Sequence, residues 1–545
     1  MAARCLSRML SSPKIGQTSL VRDSRVLSPT ASTKASSTLP FATLCVIASS
    51  AALLLLQSLY NGHLGSVVEY DDGVYFGASV NLVHGILPYR NFALVQPPLI
   101  TVFLAPFAIL ASSTGTRVAM ESARLFTDLI SLLNVVLVAL ILRKRSNFRQ
   151  TLGTAIMALS TSTLQASQTI LIEPYLVTLC LVAILVLFEG EKLTSSKARI
   201  ISAGVIFGLA GATKTWAIFP MLVMLYLLIR KIPAGWWKLL IGSAIGFGLA
   251  VLPFFIYAPK SFIKQVIIAQ ALRPQDGVDR LSRMIQLAGI PGISQLAKAN
   301  PALGWILVVV VYLIAATILY LSQKDHSWSS SSDLAQFAFT AALTVGLVLT
   351  LSPSYFYHYG AFLAPFLAIL YATLNYDFYS KRVQKRRISG RSWTQMALTA
   401  AFVVLALADA SVAISPPKMR SEIQITPSIS AALATPGCLW STQPSLVLLA
   451  NDFSADVNGC PHMVDYEGTT MEYLHVHLAT TQTLDSPQLQ KLFLGWIRRS
   501  DVVIAPTFQL APKSTQYLSQ NFHRIFLSGK YSGFWIFKRT MRSSG

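Results

Sequence analysis

Long runs of apolar residues, each about as long as a bilayer crossing, alternate with short polar segments along most of the chain. A helix needs about 20 apolar residues to cross the hydrocarbon core of a membrane. About eleven segments fit this pattern and are predicted to span: 41–60, 122–142, 151–168, 172–189, 199–213, 215–230, 238–258, 302–321, 335–352, 356–375 and 395–414. The run Leu99–Ala111 is shorter and Pro-bounded, so we predict that it lies at the interface or dips into it.

Basic residues in the loops orient these spans. With the N-terminus inside and Leu99–Ala111 not spanning, nearly every basic loop falls on the cytoplasmic side, as the positive-inside rule requires. These loops contain Arg143, Lys144, Arg145 and Arg149; Lys192, Lys197 and Arg199; Arg230, Lys231 and Lys238; and Lys381, Arg382, Lys385, Arg386, Arg387 and Arg391. The prediction is a multi-pass protein of the cell (plasma) membrane, with a cytoplasmic N-terminus and an extracytoplasmic C-terminus.

The two ends of the chain differ from its apolar middle. Residues 1–40 are rich in Ser, Thr and basic residues and cannot form a core, which predicts a disordered cytoplasmic tail. An organellar transit peptide is the competing interpretation. Residues 41–415 form the membrane module, with a first external loop at 61–120. From residue 416 short apolar runs alternate with polar stretches, which predicts an external, soluble α/β domain over 416–545.

Composition removes one class of function. The net charge of +21 resembles that of a nucleic-acid-binding protein, but the basic residues sit in short loops between apolar runs in a chain of mean hydropathy +0.54. We therefore expect membrane lipids and no nucleic acid as partners.

Of the five cysteines, only Cys438 and Cys460 share a soluble segment. A disulfide between them is expected if that segment lies outside the cytoplasm.

The candidate chemistry is a cluster of titratable residues on the outer side of the predicted topology. Asp71 and Asp72 follow the first span, and two adjacent carboxylates at a membrane surface need water, a cation or a basic partner. The same topology places Glu173, Lys214, Arg273 and His358 on that side. Such a convergence of acids, bases and cations suggests a site for a lipid-borne anionic substrate.

The motifs around these residues resemble the first external loop of GT-C superfamily glycosyltransferases, which include the protein O-mannosyltransferases and the lipid A aminoarabinose transferases. They are Tyr70-Asp71-Asp72-Gly73-Val74-Tyr75, Gly85-Ile86-Leu87-Pro88-Tyr89-Arg90, Gln96-Pro97-Pro98-Leu99, Ile172-Glu173-Pro174, Gly211-Ala212-Thr213-Lys214-Thr215 and Ser352-Pro353-Ser354-Tyr355-Phe356-Tyr357-His358-Tyr359. The stretches around Cys438 and Cys460 resemble a branch common in actinobacterial cell envelopes.

The resemblance implies an enzyme, a hexosyl- or pentosyltransferase. It would move a monosaccharide, with inversion, from a polyprenyl-phosphate carrier to a cell-envelope glycan, lipid or protein on the outer membrane face. Asp71 matches the general base, and Asp72 would orient it, bind the acceptor or substitute for it. Glu173 matches the acidic position that holds the acceptor or a metal. Arg90, Lys214 and Arg273 are candidates for the lipid phosphate, because a cation stabilises the departing charge.

Departures from the family pattern leave alternatives open. Some relatives carry an acid and a Lys or His just before the Pro-Pro pair, where this chain has Val95 and Gln96. A divalent metal cation therefore stays an open option as cofactor, with His358 as a ligand or as a structural residue. Lys214 could instead extend its ammonium to water from a helix end. Glu173 could instead be an N-terminal helix residue that is stabilised by the helix dipole. A lipid-linked sugar flippase or transporter and a non-catalytic envelope assembly protein are the rival functions.

Overall fold

Apolar helices before residue 375 and a mixed sheet after residue 436 make up the described part of the chain. The structure is a computed structural model and describes residues 39–273, 275–289, 294–323, 331–374, 437–453, 460, 463–473, 484–526 and 534–540. Most of the predicted tail, the basic cluster between Lys381 and Arg391, the predicted span 395–414 and the predicted domain boundary at residue 416 lie outside the described residues.

The helices before residue 375 lie close to the predicted segments. They are α1 (Phe41–Leu59), α2 (Asp71–Val83), α3 (Leu99–Ile141), α4 (Asn147–Leu159), α5 (Thr161–Ala166), α6 (Ile172–Leu187), α7 (Lys197–Thr213), α8 (Ile218–Lys231), α9 (Trp236–Phe255), α10 (Pro259–Phe262), α11 (Ala269–Ala271), α12 (Arg280–Leu287), α13 (Ser294–Ala299), α14 (Pro301–Gln323), α15 (Asp333–Leu351) and α16 (Ala364–Thr373). Between them lie 3₁₀ segments at Tyr60–Gly65, Thr215–Ala217 and Tyr357–Phe362, a π-helical turn at Ile263–Ile268, and the two-residue strands β1 (Phe188–Glu189), β2 (Lys192–Leu193), β3 (Asp276–Gly277) and β4 (Ser354–Tyr355).

Four of the described helices, α1, α3, α9 and α15, are long and apolar enough to cross a membrane by length and composition. Helix α6 and the Pro301–Leu313 part of α14 are apolar but shorter. The predicted span 151–168 is divided between α4 and α5 at Ser160, where the backbone turns to an extended conformation. Ser and Thr side chains compete for backbone hydrogen bonds, and Ser160 opens a run of four such residues.

The segment Leu99–Ala111 is the first arm of a broken helix. Helix α3 starts directly after Pro98 and continues to Ile141, with non-helical backbone at Gly115, where φ is +84°. Glycine suits this break because a left-handed φ is strained for other residues, and a Cβ here would lie only 2.7 Å from Asn451 Oδ1. A residue of the C-terminal region therefore packs against the bend.

Small residues allow helices α7 and α9 to pack closely. Gly204 and Gly208 on α7 face Gly242 and Gly246 on α9, and a Cβ at any of the four would collide with the backbone of the other helix. This is the small-xxx-small pattern by which helices associate in membranes. It fixes the position of the C-terminal end of α7, where Lys214 lies.

After residue 436 the chain forms a four-stranded mixed sheet with helices. The strands are β5 (Leu439–Ser441), β6 (Val502–Pro506), β7 (Phe522–Phe526) and β8 (Phe534–Arg539), and the described helices are α17 (Pro444–Leu449), α18 (Tyr466–Glu472), α19 (Pro487–Arg499) and α20 (Pro512–Asn521). The strand order is β5-β6-β8-β7, with β5 and β6 parallel and the other pairs antiparallel. We call this part the C-terminal region.

The C-terminal region packs directly on α2 and α3. One apolar core contains Val74 and Phe76 of α2 together with Leu446 and Leu448 of α17. Gly73 makes this approach possible, because a Cβ at that position would collide with the backbone of Ser445. The described residues from Leu39 onward belong to one compact unit. Residues 66–72, which lead into α2 and are called the acidic loop, are therefore enclosed by both parts of the chain.

Candidate active site

Asp72, the second acid of the pair, is fully buried at the start of α2. Its carboxylate accepts hydrogen bonds from Arg124 Nη2 on α3, from Thr169 Oγ1 and from Ser445 Oγ, each at 2.5 Å. Arg124 is also buried and donates to Ser66 O of the loop before α2. A buried charge is tolerated when it is paired and hydrogen-bonded in this way. Asp72 thus anchors the acidic loop to α3 and to the C-terminal region.

Asp71, the first acid, has a different environment. It is half-buried, and its Oδ2 accepts a hydrogen bond from the Tyr75 hydroxyl, one turn later on α2, at 3.1 Å. It lies in the first turn of α2. Of the two adjacent acids, Asp71 is the one that retains access to solvent.

Glu69 is a third acid at this site, and sequence reasoning missed it. Burial, together with the charges of Asp71 and Asp72, raises the pKa of Glu69 to about 7, against the opposing effects of His358 and of a hydrogen bond with Tyr357. Its backbone oxygen accepts from Ser445 Oγ at 2.9 Å. The signal was available, since Glu69 directly precedes Tyr70-Asp71-Asp72 in a chain poor in charge.

Glu173 forms the centre of a second charged group. It lies at the start of α6 and is 1% exposed, and its Oε1 accepts a hydrogen bond from Lys214 Nζ at 2.6 Å. Its other oxygen, Oε2, lies 2.9 Å from His358 Nδ1. The structure therefore brings together three residues that are far apart in sequence and that the sequence placed on one face.

Local structure explains how Lys214 and His358 reach Glu173. Helix α7 ends at Thr213, and Lys214 adopts an extended backbone that turns its side chain away from the helix. Its ammonium lies 3.9 Å from the ring centroid of Trp216 and 4.1 Å from that of Tyr359. His358 lies in the 3₁₀ segment Tyr357–Phe362, and its ring is 2% exposed. Aromatic rings thus pack against both partners of Glu173.

Tyr357 links the two acidic groups. Electrostatic interaction joins its hydroxyl to Glu69, Asp71, Asp72 and Glu173. Tyr75 similarly interacts with both Asp71 and Glu173. The start of α2 with the residues before it, α6 and the segment after α15 therefore contribute to one continuous site.

The two predicted arginines differ in their distance from this cluster. Arg273 Nη2 lies 3.3 Å from Glu467 Oε2 of α18, and its guanidinium lies 5.4 Å from the Phe356 ring centroid. It also interacts electrostatically with Tyr359, the residue against Lys214. Arg90 is exposed, with its guanidinium 5.6 Å from the Tyr257 ring centroid. Among the described residues, no ion pair joins Arg90 to the cluster.

Tyr70 and Asp465 form a second link between the acidic loop and the C-terminal region. The Tyr70 hydroxyl donates to Asp465 Oδ1 at 3.0 Å, and Asp465 Oδ2 accepts from Val95 N at 3.2 Å. Asp465 also caps α18 by accepting from Gly468 N at 2.7 Å. Burial raises the pKa of Asp465 to about 6. This carboxylate is a structural acceptor for three donors.

The described residues do not offer a donor set for a divalent metal. No three His, Cys, Asp or Glu side chains of the described ranges converge in a way that could hold one. At Glu173, the first candidate, both carboxylate oxygens already have a partner, Lys214 and His358. Before the Pro-Pro pair, Val95 uses its backbone N–H and carbonyl to bind Asp465 and Gln270.

The two cysteines of the C-terminal region are joined. A disulfide links Cys438 to Cys460, with the Cα atoms 5.2 Å apart. Cys438 directly precedes β5, the strand that pairs with β6. The bond therefore ties the segment before α18 to the sheet.

Sequence reasoning also missed the residues that hold the site in place. Arg124 is the partner of Asp72, and a lone arginine within a predicted span was a signal that an acid must lie nearby. Ser445 and Asp465 carried no such signal, because their partners lie at least 370 positions away in the chain.

The family model of dolichyl-phosphate-mannose-protein mannosyltransferase matches residues 91–267, which is less than half of the chain. No curated protein matches the sequence.

Solved structures give the fold. A crystal structure of ArnT from Cupriavidus metallidurans bound to undecaprenyl phosphate matches with a TM-score of 0.53 and 12% identity, over 91% of this chain and 98% of that chain. The apo state of the same protein matches with a TM-score of 0.53 and 13% identity, over 91% and 97%. The chain has the GT-C fold. The superfamily predicted from the motifs is thereby confirmed.

An oligosaccharyltransferase from Archaeoglobus fulgidus, in complex with Zn and sulfate, matches with a TM-score of 0.45 and 12% identity, over 91% of this chain and 73% of that chain. This score is too low to carry an argument.

The GT-C fold and the mannosyltransferase match together indicate a membrane glycosyltransferase.

Proposed function

We propose that this GT-C protein transfers a monosaccharide from a polyprenyl-phosphate carrier to a hydroxyl of a cell-envelope glycan, lipid or protein on the outer face of the membrane. Asp71 is the general base. The observation that carries the proposal is the division between two adjacent acids, of which Asp72 is buried and bound by Arg124 while Asp71 stays half-exposed beside the Glu173 cluster.

The chemistry requires one displacement. The acceptor oxygen attacks the anomeric carbon, the bond from that carbon to the phosphate oxygen breaks, and the polyprenyl phosphate leaves with the electron pair. Asp71 takes the proton of the acceptor hydroxyl as attack proceeds, because a free hydroxyl is a poor nucleophile near neutral pH. Attack opposite to the leaving group inverts the anomeric centre.

The departing phosphate needs positive charge, and this term is often the largest in catalysis. Arg273 is our first candidate, because it is mostly buried near Tyr359 and can offer a guanidinium fork to two oxygens. Arg90 stays a prediction for a more exposed part of the carrier. Lys214 is not our candidate for the phosphate, because its ammonium already binds Glu173.

The test is a mass-spectrometric transfer assay with the full chain in nanodiscs, a panel of polyprenyl-phosphate sugars and envelope acceptors. Asp71→Asn should lower transfer by about 10²–10⁴-fold, the usual contribution of a general base. The amide oxygen can still accept from Tyr75, so the fold should persist.

Asp279→Asn is the matched control. Asp279 caps α12 by accepting from Ser282 N, and asparagine caps helices equally well, so this variant should transfer sugar normally. Undiminished transfer by folded Asp71→Asn would remove Asp71 from the role of base. Saturable binding of the sugar donors without turnover in wild-type protein would favour a flippase instead.

A further inference from the structure

Lys214 occupies an unusual position for a lysine near a membrane surface. A lysine at a helix end usually extends its ammonium to water, but the Lys214 side chain is 7% exposed and points inward to Glu173. Its Nζ lies 2.6 Å from Glu173 Oε1 and close to the rings of Trp216 and Tyr359, which pack edge to face against each other. A carboxylate and two aromatic rings therefore contact the ammonium.

The charges around Glu173 are therefore complete without a further ion. One oxygen binds the ammonium, and the other lies against His358. A divalent metal takes carboxylate and imidazole ligands at about 2–2.6 Å, so at this place it would have to displace the Lys214 ammonium from Glu173 and separate Glu173 Oε2 from His358 Nδ1. It would also repel the ammonium strongly in a buried environment.

We propose that Lys214 is the resident cation of this GT-C site, and that its ammonium takes the place of a divalent metal beside Glu173. Lys214 is then a positioning residue that holds Glu173 and, through it, His358 against the acidic loop. The site needs no exogenous metal. The expectation for sugar transfer rests on the proposed function, whereas the expectation for metal binding does not.

Metal binding is the first test, because it does not depend on turnover. The full chain is washed with EDTA in nanodiscs and titrated with Mn²⁺, and bound metal is followed by electron paramagnetic resonance. Wild-type protein should bind no Mn²⁺ that depends on Glu173. One Mn²⁺ per chain in the wild type, lost in Glu173→Gln, would overturn the proposal.

Variants at position 214 test the same idea from the other side. Lys214→Ala removes the ammonium and leaves room beside Glu173 and His358, so it should gain one Mn²⁺, and this gain should vanish in Lys214→Ala/Glu173→Gln. Lys214→Met is the matched control, because it removes the charge but keeps the volume, and it should bind none. A folded Lys214→Ala that gains no Mn²⁺ contradicts the proposal.

Stability shows whether the pair acts as a unit. Removing one partner of a buried ion pair leaves an uncompensated charge, whereas removing both charges is far less damaging. Lys214→Met and Glu173→Gln should each lower the melting temperature in nanodiscs, and the double variant should recover part of that loss. Losses that simply add in the double variant would argue against a coupled pair.

The transfer assay completes the test. Wild-type activity should be unchanged by excess EDTA, and Lys214→Ala should lose on the order of 10²-fold and regain activity with Mn²⁺. EDTA inhibition of the wild type that Mn²⁺ reverses would refute the resident cation while leaving the transferase intact. Absence of transfer by the wild-type protein would refute the proposed function, and the Mn²⁺ titration would still decide the role of Lys214.

Discussion

Asp71 and Asp72 show how far two neighbouring identical residues can differ. Successive residues on a helix point about 100° apart, so Asp72 turns towards Arg124 on α3 while Asp71 stays near Tyr75 and the Glu173 cluster. From the sequence, the family resemblance favoured Asp71 as the base and left Asp72 to orient it, to bind the acceptor or to substitute for it. Their roles separate only because α3 presents a buried guanidinium to one of them.

This difference leads to a stability prediction at Asp72. Asp72→Asn leaves the Arg124 guanidinium buried without its anion and should lower the free energy of unfolding by about 3–5 kcal/mol. Chemical or thermal unfolding in detergent measures the loss.

A second ion pair of the same helix gives the control. Arg117 and Glu121 are paired at 3.1 Å on the partly exposed surface of α3. Glu121→Gln should therefore change stability by no more than about 1 kcal/mol. Equal losses in the two variants would show that Asp72 does not anchor the loop.

At the scale of elements, helix α2 is held by contacts that permit almost no extra volume. Helix α17 approaches it at Gly73, where Ser445 packs against the glycine and also donates to Asp72 and to Glu69 O. Overpacking a tight contact forces backbone shifts that cost about 1–3 kcal/mol. A shift here would also move the two acids that follow Tyr70.

Gly73→Ala should therefore destabilise the junction between α2 and α17 and make the C-terminal region more accessible. Hydrogen exchange of α17 and a melting curve measure both effects. Gly248→Ala on α9 is the matched control, because no atom lies within 4 Å of its Cβ position and alanine favours helix. It should be neutral or stabilising. Unchanged exchange in α17 of Gly73→Ala would argue against the close contact.

At the scale of the whole molecule, the C-terminal region is part of the site. Tyr70 binds Asp465, Asp72 binds Ser445, and Arg273 pairs with Glu467, so three links join the two parts around the acidic loop. The same enclosure buries Glu69 and raises its pKa to about 7, with Asp71 and Asp72 adding to the rise and His358 and Tyr357 opposing it.

The pH dependence of stability follows from the direction of this shift. The pKa of Glu69 is raised from 4.5 in the free side chain to about 7 in the folded protein. Its protonated form therefore stabilises the fold at low pH, and this contribution is lost as pH rises through about 7. The melting temperature of Glu69→Gln should fall less than that of the wild type between about pH 5 and pH 8.

Glu189→Gln is the control for this pH series. Glu189 is an exposed acid of β1 paired with Arg199 of α7, so the variant should follow the wild-type curve. Parallel curves for Glu69→Gln and the wild type would contradict the raised pKa.

The sequence by itself determined the class of the molecule. Apolar runs of bilayer length placed seven long helices, α1, α6, α7, α8, α9, α14 and α15, within a few residues, because the length and apolar character of such a helix are set by the local sequence. The same motifs predicted the superfamily and named Asp71, Glu173, Lys214 and His358. The helix count and the side of the membrane on which the C-terminus lies stay predictions.

Tertiary structure alone decided which partners surround each of these residues. Asp72 is neutralised by Arg124, Lys214 is held between Trp216 and Tyr359, and Glu69 is buried by contacts with the C-terminal region. Each outcome depends on a partner distant in sequence. The strength of an electrostatic interaction depends on distance and burial, and neither is encoded in the local pattern of the chain.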